Sequence, residues 1–88
     1  MRIDQLMNRL CLVKSRNIAK NACDRELVLI NDKPVKASTE VHEGDIIRYS
    51  VYGYDTVLRI VKIPKGNVSK KSAGEYYEVL VREKLDLI

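Results

Sequence analysis

The spacing of the apolar residues changes twice along this chain, and those changes constrain its fold more than any other feature. Ile3, Leu6, Met7 and Leu10 recur at i, i+3, i+4 and i+7, the period of an amphipathic helix from about residue 2 to 12. Ser15 stands where a second helix, Arg16 to about Asp24, needs its N-cap. That helix would bury Ile18, Ala19, Ala22 and Cys23, small enough to let two helices approach closely. From Leu27 the pattern becomes that of strands. Leu27-Val28-Leu29-Ile30, a tight turn at Asn31-Asp32 and Lys33-Pro34-Val35-Lys36 form a hairpin. Ile46 to Tyr52 and Tyr54 to Ile63 make two more strands about Gly53, the second with Val57, Leu58, Ile60, Val61 and Ile63 largely buried. The pattern is helical again from Glu75 to Leu85. Glu75 and Glu78 begin that segment, Arg82 and Lys84 end it as a helix dipole prefers, and Tyr76/Leu80 and Tyr77/Val81 fall four apart.

The expected class is therefore α+β: two antiparallel helices packed on a small, mostly antiparallel sheet, with a C-terminal helix. A chain of 88 residues is one domain. Residues 1–63 hold the helical pair and its sheet, residues 64–74 a basic, mobile loop with little to bury, and residues 75–88 a helix packed on the same domain. Apolar runs such as Leu27 to Ile30 fall far short of the ~20 residues that span a bilayer, so no membrane segment is expected. The charged start, Met1-Arg2-Ile3-Asp4-Gln5, is unlike a secretory signal, and a cytoplasmic protein is expected. Cys11 and Cys23 lack the spacing of a metal or redox pair and read as small buried hydrophobes.

No catalytic constellation stands out. His42 is the single histidine and sits among turn residues, capping explains Ser15, and the isolated glycines make no phosphate loop. The chain is not expected to be an enzyme, nor to need a cofactor or metal. Its charge is more informative. The net charge of +4 is divided into blocks: residues 1–36 carry eight cations against four acids, residues 37–45 are net −3, residues 46–72 net +5 and residues 73–88 net −2. At ~100° per helical residue, Arg2 and Arg9 fall on nearly one line, Arg16 and Lys20 share a face, and Lys14 lies between the helices. Packing of the helices through their apolar stripes could bring these cations to one surface, with Arg16 at a helix N-terminus suited to a phosphate. Charge alone also fits an ordinary solvated basic face.

Taken in order, Arg2-Ile3-Asp4, Val13-Lys14-Ser15-Arg16, Ala19-Lys20, Val28-x-Ile30-Asn31-x-Lys33-Pro34-Val35-Lys36 and Gly44-Asp45-x-Ile47 resemble the S4 RNA-binding domain over about residues 2 to 49. The resemblance implies a helical pair and hairpin that grip structured RNA through cations. It points to Arg2, Lys14, Arg16 and Lys20 as phosphate contacts, with Arg9 and Ser15 in the same frame and Asn31 and Lys33 at the hairpin in second rank. Asn31 could equally serve only to shape its turn, and Asp4 reads as a helix-start stabiliser. Two positions depart from the family pattern: Glu26 stands where glycine usually precedes the first strand, and Asn31-Asp32 stands where Asn-Gly makes the turn.

Among stand-alone S4 proteins, the Arg-Ile-Asp start, the Lys70-Lys71 loop and the Tyr76 to Lys84 tail look like the RqcP and heat-shock-protein-15-like group of ribosome-associated quality control proteins. That resemblance implies a monomer whose partners are large-subunit rRNA, peptidyl-tRNA and a NEMF-family tailing factor. An rRNA-binding assembly factor and a protein-interaction module remain the alternatives. Tyr49, Tyr52 and Tyr54 read as core or edge packing more readily than as base-stacking groups. Lys62, Lys65, Lys70 and Lys71 could extend an RNA surface or merely keep a loop solvated.

Overall fold

In the computed structural model, which describes residues 1–85, two helices pack together and against a five-stranded antiparallel sheet. Helix α1 spans Ile3–Arg9 and α2 spans Arg16–Asp24. The strands are β1 (Val28–Ile30), β2 (Lys33–Pro34), β3 (Ile46–Val51), β4 (Tyr54–Ile60) and β5 (Tyr77–Lys84), in the order β2-β1-β3-β4-β5. Ile3, Leu6, Met7 and Leu10 are fully buried, and with Ala19, Ala22 and Cys23 of α2 they face Val28, Ile47, Leu58 and Ile60 of the sheet.

Both helices end in the same way. Cys11 (φ 59°) and Glu26 (φ 59°) adopt the left-handed conformation just beyond α1 and α2. The amide of Leu12 then donates to the Met7 carbonyl and that of Cys11 to the Asn8 carbonyl, while Leu27 and Glu26 do likewise to Ala22 and Cys23. These are Schellman closures, in which the left-handed position favours glycine. Glu26 therefore occupies the family's glycine position with the glycine's backbone conformation, at a cost of about 1 to 2 kcal/mol. Cys11 is consequently exposed at its helix end, contrary to the expectation of a buried thiol, whereas Cys23 is buried.

Asn31 (φ 51°) and Asp32 (φ 68°) form the two-residue loop between β1 and β2, and both positive angles are those of a type I′ turn. Tyr52 (φ 54°) and Gly53 (φ 78°) make the same kind of turn between β3 and β4.

The expected C-terminal helix is not formed. After a 3₁₀ turn at Ala73–Glu75, residues 77–84 run as β5, paired along the whole of β4 from Ile60↔Tyr77 to Tyr54↔Lys84, with a bulge opposite Val57/Leu58. Without β5, the outer backbone groups of β4 would lack partners, and Tyr77-Glu78-Val79-Leu80-Val81 is rich in strand-forming residues. The spacing of Tyr76/Leu80 and Tyr77/Val81 thus does not report helical packing, and the part of that helix expected at residues 86–88 lies outside the described residues. The loop before it also buries more than expected: Pro64 is fully buried and Val68 packs against the core. Strand β4 stops at Ile60, which leaves Val61 exposed.

Candidate nucleic-acid interface

The cations of the first two helices are organised by one carboxylate. Asp4, in the first turn of α1, has a side chain only 4% exposed. Its Oδ1 accepts from the Gln5 amide at 2.8 Å and lies 3.3 Å from Arg2 Nε, and its Oδ2 accepts from Arg16 Nε at 3.1 Å and from an Arg2 Nη at 3.3 Å. Arg2 precedes α1 and Arg16 opens α2, so a residue expected only to stabilise a helix start ties two elements together. The two arginine side chains are 45% and 47% exposed. Arg16 is held through Nε alone and Arg2 through Nε and one Nη, and two positive charges meet one negative one. Planar guanidiniums held in a net-positive arrangement of this kind are suited to phosphate oxygens.

The other expected contacts divide into two groups. Lys20 lies one turn beyond Arg16 on α2, exposed, and Lys14 is exposed in the loop between the helices. The Lys14 backbone N–H donates to the Tyr52 hydroxyl at 2.9 Å, fixing that loop to the β3–β4 turn. Arg9 is half-buried in the last turn of α1, about 10 Å along the axis from Arg2, and Lys33 is exposed on the edge strand β2. Ser15 caps α2, its hydroxyl accepting from the Ile18 amide at 3.3 Å. Asn31 is engaged at both ends of its amide: Nδ2 donates to Asp45 at 3.2 Å and Oδ1 accepts from the Ile46 N–H at 3.0 Å. Turn-shaping is thus the part Asn31 plays within the fold.

A second arginine–aspartate pair lies on the sheet. Arg48 of β3 donates to Asp55 of β4 through Nε (3.2 Å) and Nη2 (2.7 Å), and Ser50 adds a bond to the same carboxylate at 3.2 Å. The Arg48 fork holds the Asp55 carboxyl below its ordinary range, with the Ser50 hydroxyl assisting against desolvation. In the sequence, Asp55 is marked only as the one acid of the β4 segment, which also carries Thr56 and Arg59.

Among the described residues, no group of three or more His, Cys, Asp and Glu side chains comes together as a metal site, and no helix is long and apolar enough to cross a membrane. His42 is exposed beside Asp45.

Comparison with known proteins agrees with this architecture. The family model described as the S4 domain matches residues 1–47, which contain Arg2, Asp4, Lys14, Arg16, Lys20 and the β1–β2 hairpin. The RQC P-site tRNA stabilizing factor of Bacillus subtilis is 33% identical over 85 residues, covering 97% of this chain and 98% of that protein. The protein of the same name from Halalkalibacterium halodurans is 34% identical over 85 residues, covering 94% and 93%. Among solved structures, the trimeric heat shock protein 15 of Vibrio cholerae superposes with a TM-score of 0.84 at 23% identity, over 90% of this chain and 80% of that one, and shows the same fold.

Proposed function

Because this chain belongs, with the RQC P-site tRNA stabilizing factors, to the S4 domain family, we propose that it binds the large ribosomal subunit carrying peptidyl-tRNA and supports C-terminal tailing of stalled nascent chains. The observation that carries the reading is the Arg2–Asp4–Arg16 cluster, whose half-exposed guanidiniums are set at a fixed spacing by a buried carboxylate. Arg2 and Arg16 take phosphates of rRNA or of the tRNA backbone, and Lys14 and Lys20 extend the contact on either side. Arg9 and Lys33 add weaker contacts at the rim, while Ser15 and Asn31 serve by holding α2 and the hairpin in place. The protein acts by positioning and not by chemistry: it stabilises one placement of the tRNA through backbone contacts, leaving elongation of the tail to a NEMF-family partner. It does so in the cytoplasm as a monomer, and size-exclusion chromatography is the check, since the Vibrio relative was solved as a trimer.

Gradient sedimentation of tagged protein from cells tests the reading. Co-migration with large subunits that contain peptidyl-tRNA is expected, and exclusive association with vacant subunits would replace the reading by one of ribosome assembly. Arg16→Gln is expected to weaken large-subunit binding at least tenfold while the domain stays folded. Because each neutralised phosphate contributes a slope of roughly −0.7 to −0.9 in log K against log salt, the variant's salt dependence becomes shallower by about one such contact. An unchanged affinity in a folded Arg16→Gln protein would remove the cluster from the RNA interface.

A further inference from the structure

Where α1 ends and β3 turns into β4, a cavity of about 170 Å³ opens beside the sheet. It shares Cys11, Leu12, Tyr52 and Arg82 as walls with a shallower groove of about 510 Å³, which Lys14 and Lys70 line farther out. Three properties set this groove apart. It gathers four tyrosines, Tyr49, Tyr52, Tyr54 and Tyr77, around its inner part. It is bordered by three cations from three separate segments, Lys14, Lys70 and Arg82, with no carboxylate in either wall. The outer groove, about 510 Å³, falls in the range of about 300 to 1,000 Å³ typical of small-molecule sites, and the smaller tyrosine-lined cavity of about 170 Å³ shares its walls.

Tyr52 is the most pointed feature. It is 53% exposed and left-handed at the first position of its turn, where Asn or Asp would be accommodated with less strain. An exposed aromatic ring held in a disfavoured backbone conformation is the kind of outlier that accompanies a working site. Its hydroxyl accepts from the Lys14 N–H, which fixes the ring between the turn and the cationic interhelical loop. On the opposite wall the Arg82 guanidinium lies 4.6 Å from the centroid of the Tyr54 ring, an aromatic–cation stack already assembled. Among the described residues neither Arg82 nor Lys14 nor Lys70 has an acidic partner.

We propose that this groove is a second RNA subsite that receives an unpaired nucleobase among Tyr52, Tyr54 and Tyr77, with Lys14, Lys70 and Arg82 holding its flanking phosphates. The proposal rests on the RNA-binding reading above and deepens it: the arginine cluster grips backbone, and the tyrosine groove requires a base outside a helix. Aromatic rings accept any base by stacking, so the subsite selects unpaired structure more than sequence. Lys14 is shared between the two subsites, two residues before Arg16, so a duplex phosphate and an adjacent unstacked base can be engaged together.

The test uses the full chain and two RNA hairpins, one blunt-ended and one carrying a short single-stranded overhang of 5-iodouridines. Irradiation is expected to crosslink the overhang to tyrosines of the groove. In the unmodified protein, the overhang RNA is expected to slow maleimide alkylation of Cys11, which lines both cavities, more than the blunt hairpin does. Cys23 is the internal control, because burial, with Asp4 and Asp24 nearby, pushes its thiol up to about 11. Tyr54→Leu is expected to narrow the preference for overhang over blunt RNA about tenfold, as the loss of one stacked base predicts. Equal Cys11 protection by both hairpins, or crosslinks confined to residues outside the groove, would overturn the subsite while leaving the arginine cluster's role intact. Failure of both hairpins to bind would defeat the RNA reading and the subsite with it.

Discussion

Asp4 and Asp55 are both carboxylates inside the fold that bind arginine, yet the two regions they organise have opposite capacities. Asp55 receives both prongs of a single guanidinium and a serine hydroxyl, so the pair is neutral although the Arg48 side chain stays 54% exposed. Asp4 divides itself between Arg2 and Arg16, so one positive charge is left over. The same residue types thus make a closed strap across β3 and β4 and an open cationic face at the helices. What decides is the ratio of arginines to carboxylates, since all three arginine side chains are about half exposed.

The comparison can be broken at Asp4. Asp4→Asn keeps the shape and removes the charge, and should cost about 2 kcal/mol of stability in urea unfolding, since charge-assisted bonds within a part-buried site are lost. It should also weaken RNA binding despite raising the net positive charge. Tighter RNA binding by Asp4→Asn would show that Asp4 only neutralises the arginines. Glu26→Gly sharpens the point, because relief of the left-handed glutamate should add about 1 kcal/mol to stability and touches neither aspartate. Combined with Asp4→Asn it should restore much of the melting temperature without restoring RNA affinity, separating positioning from folding.

On the other side, Arg48→Gln should leave large-subunit binding unchanged and lower stability by less than about 1 kcal/mol, the worth of a half-exposed ion pair. A binding defect in that variant would mean that the sheet strap also faces RNA. The smallest effect concerns acid. The Asp55 carboxyl is held below its unfolded value, so it contributes stability that is present above about pH 4 and is lost as pH falls through its folded value. Asp55→Asn should therefore flatten the acid limb of the stability profile, and an unaltered limb would assign acid sensitivity elsewhere.

Much of the fold was legible in the sequence. Helix α2 announced itself through Ser15 and its stripe of small residues, and the first hairpin through Asn31-Asp32, where both residues do adopt positive φ. Strand β5 was not legible because Val79, Leu80 and Val81 are all substantially exposed, so an edge strand shows none of the alternation that reveals a half-buried one. Its aromatic and apolar residues happen also to recur at helical spacing. Arg2 and Arg16 could be singled out from the chain and expected on one surface, but the carboxylate that links them could not: Asp4 lies twelve residues from Arg16 and is buried by the packing of the two helices. The tyrosine groove was hidden for a stronger version of the same reason, since its walls come from α1, the β3–β4 turn, the loop at Lys70 and β5.

The hydrogen bond from Lys14 to Tyr52 carries a consequence for synthesis. The first 47 residues, those matched by the S4 family, already contain both arginines and the aspartate that pairs them. They do not contain the hydroxyl that anchors Lys14, which comes from the turn five residues later. As the chain leaves the ribosome, the residues of its arginine cluster come first, and the interhelical loop is pinned only once the β3–β4 turn has emerged. Birth order therefore separates the residues of the arginine cluster from the hydroxyl that pins the loop beside it.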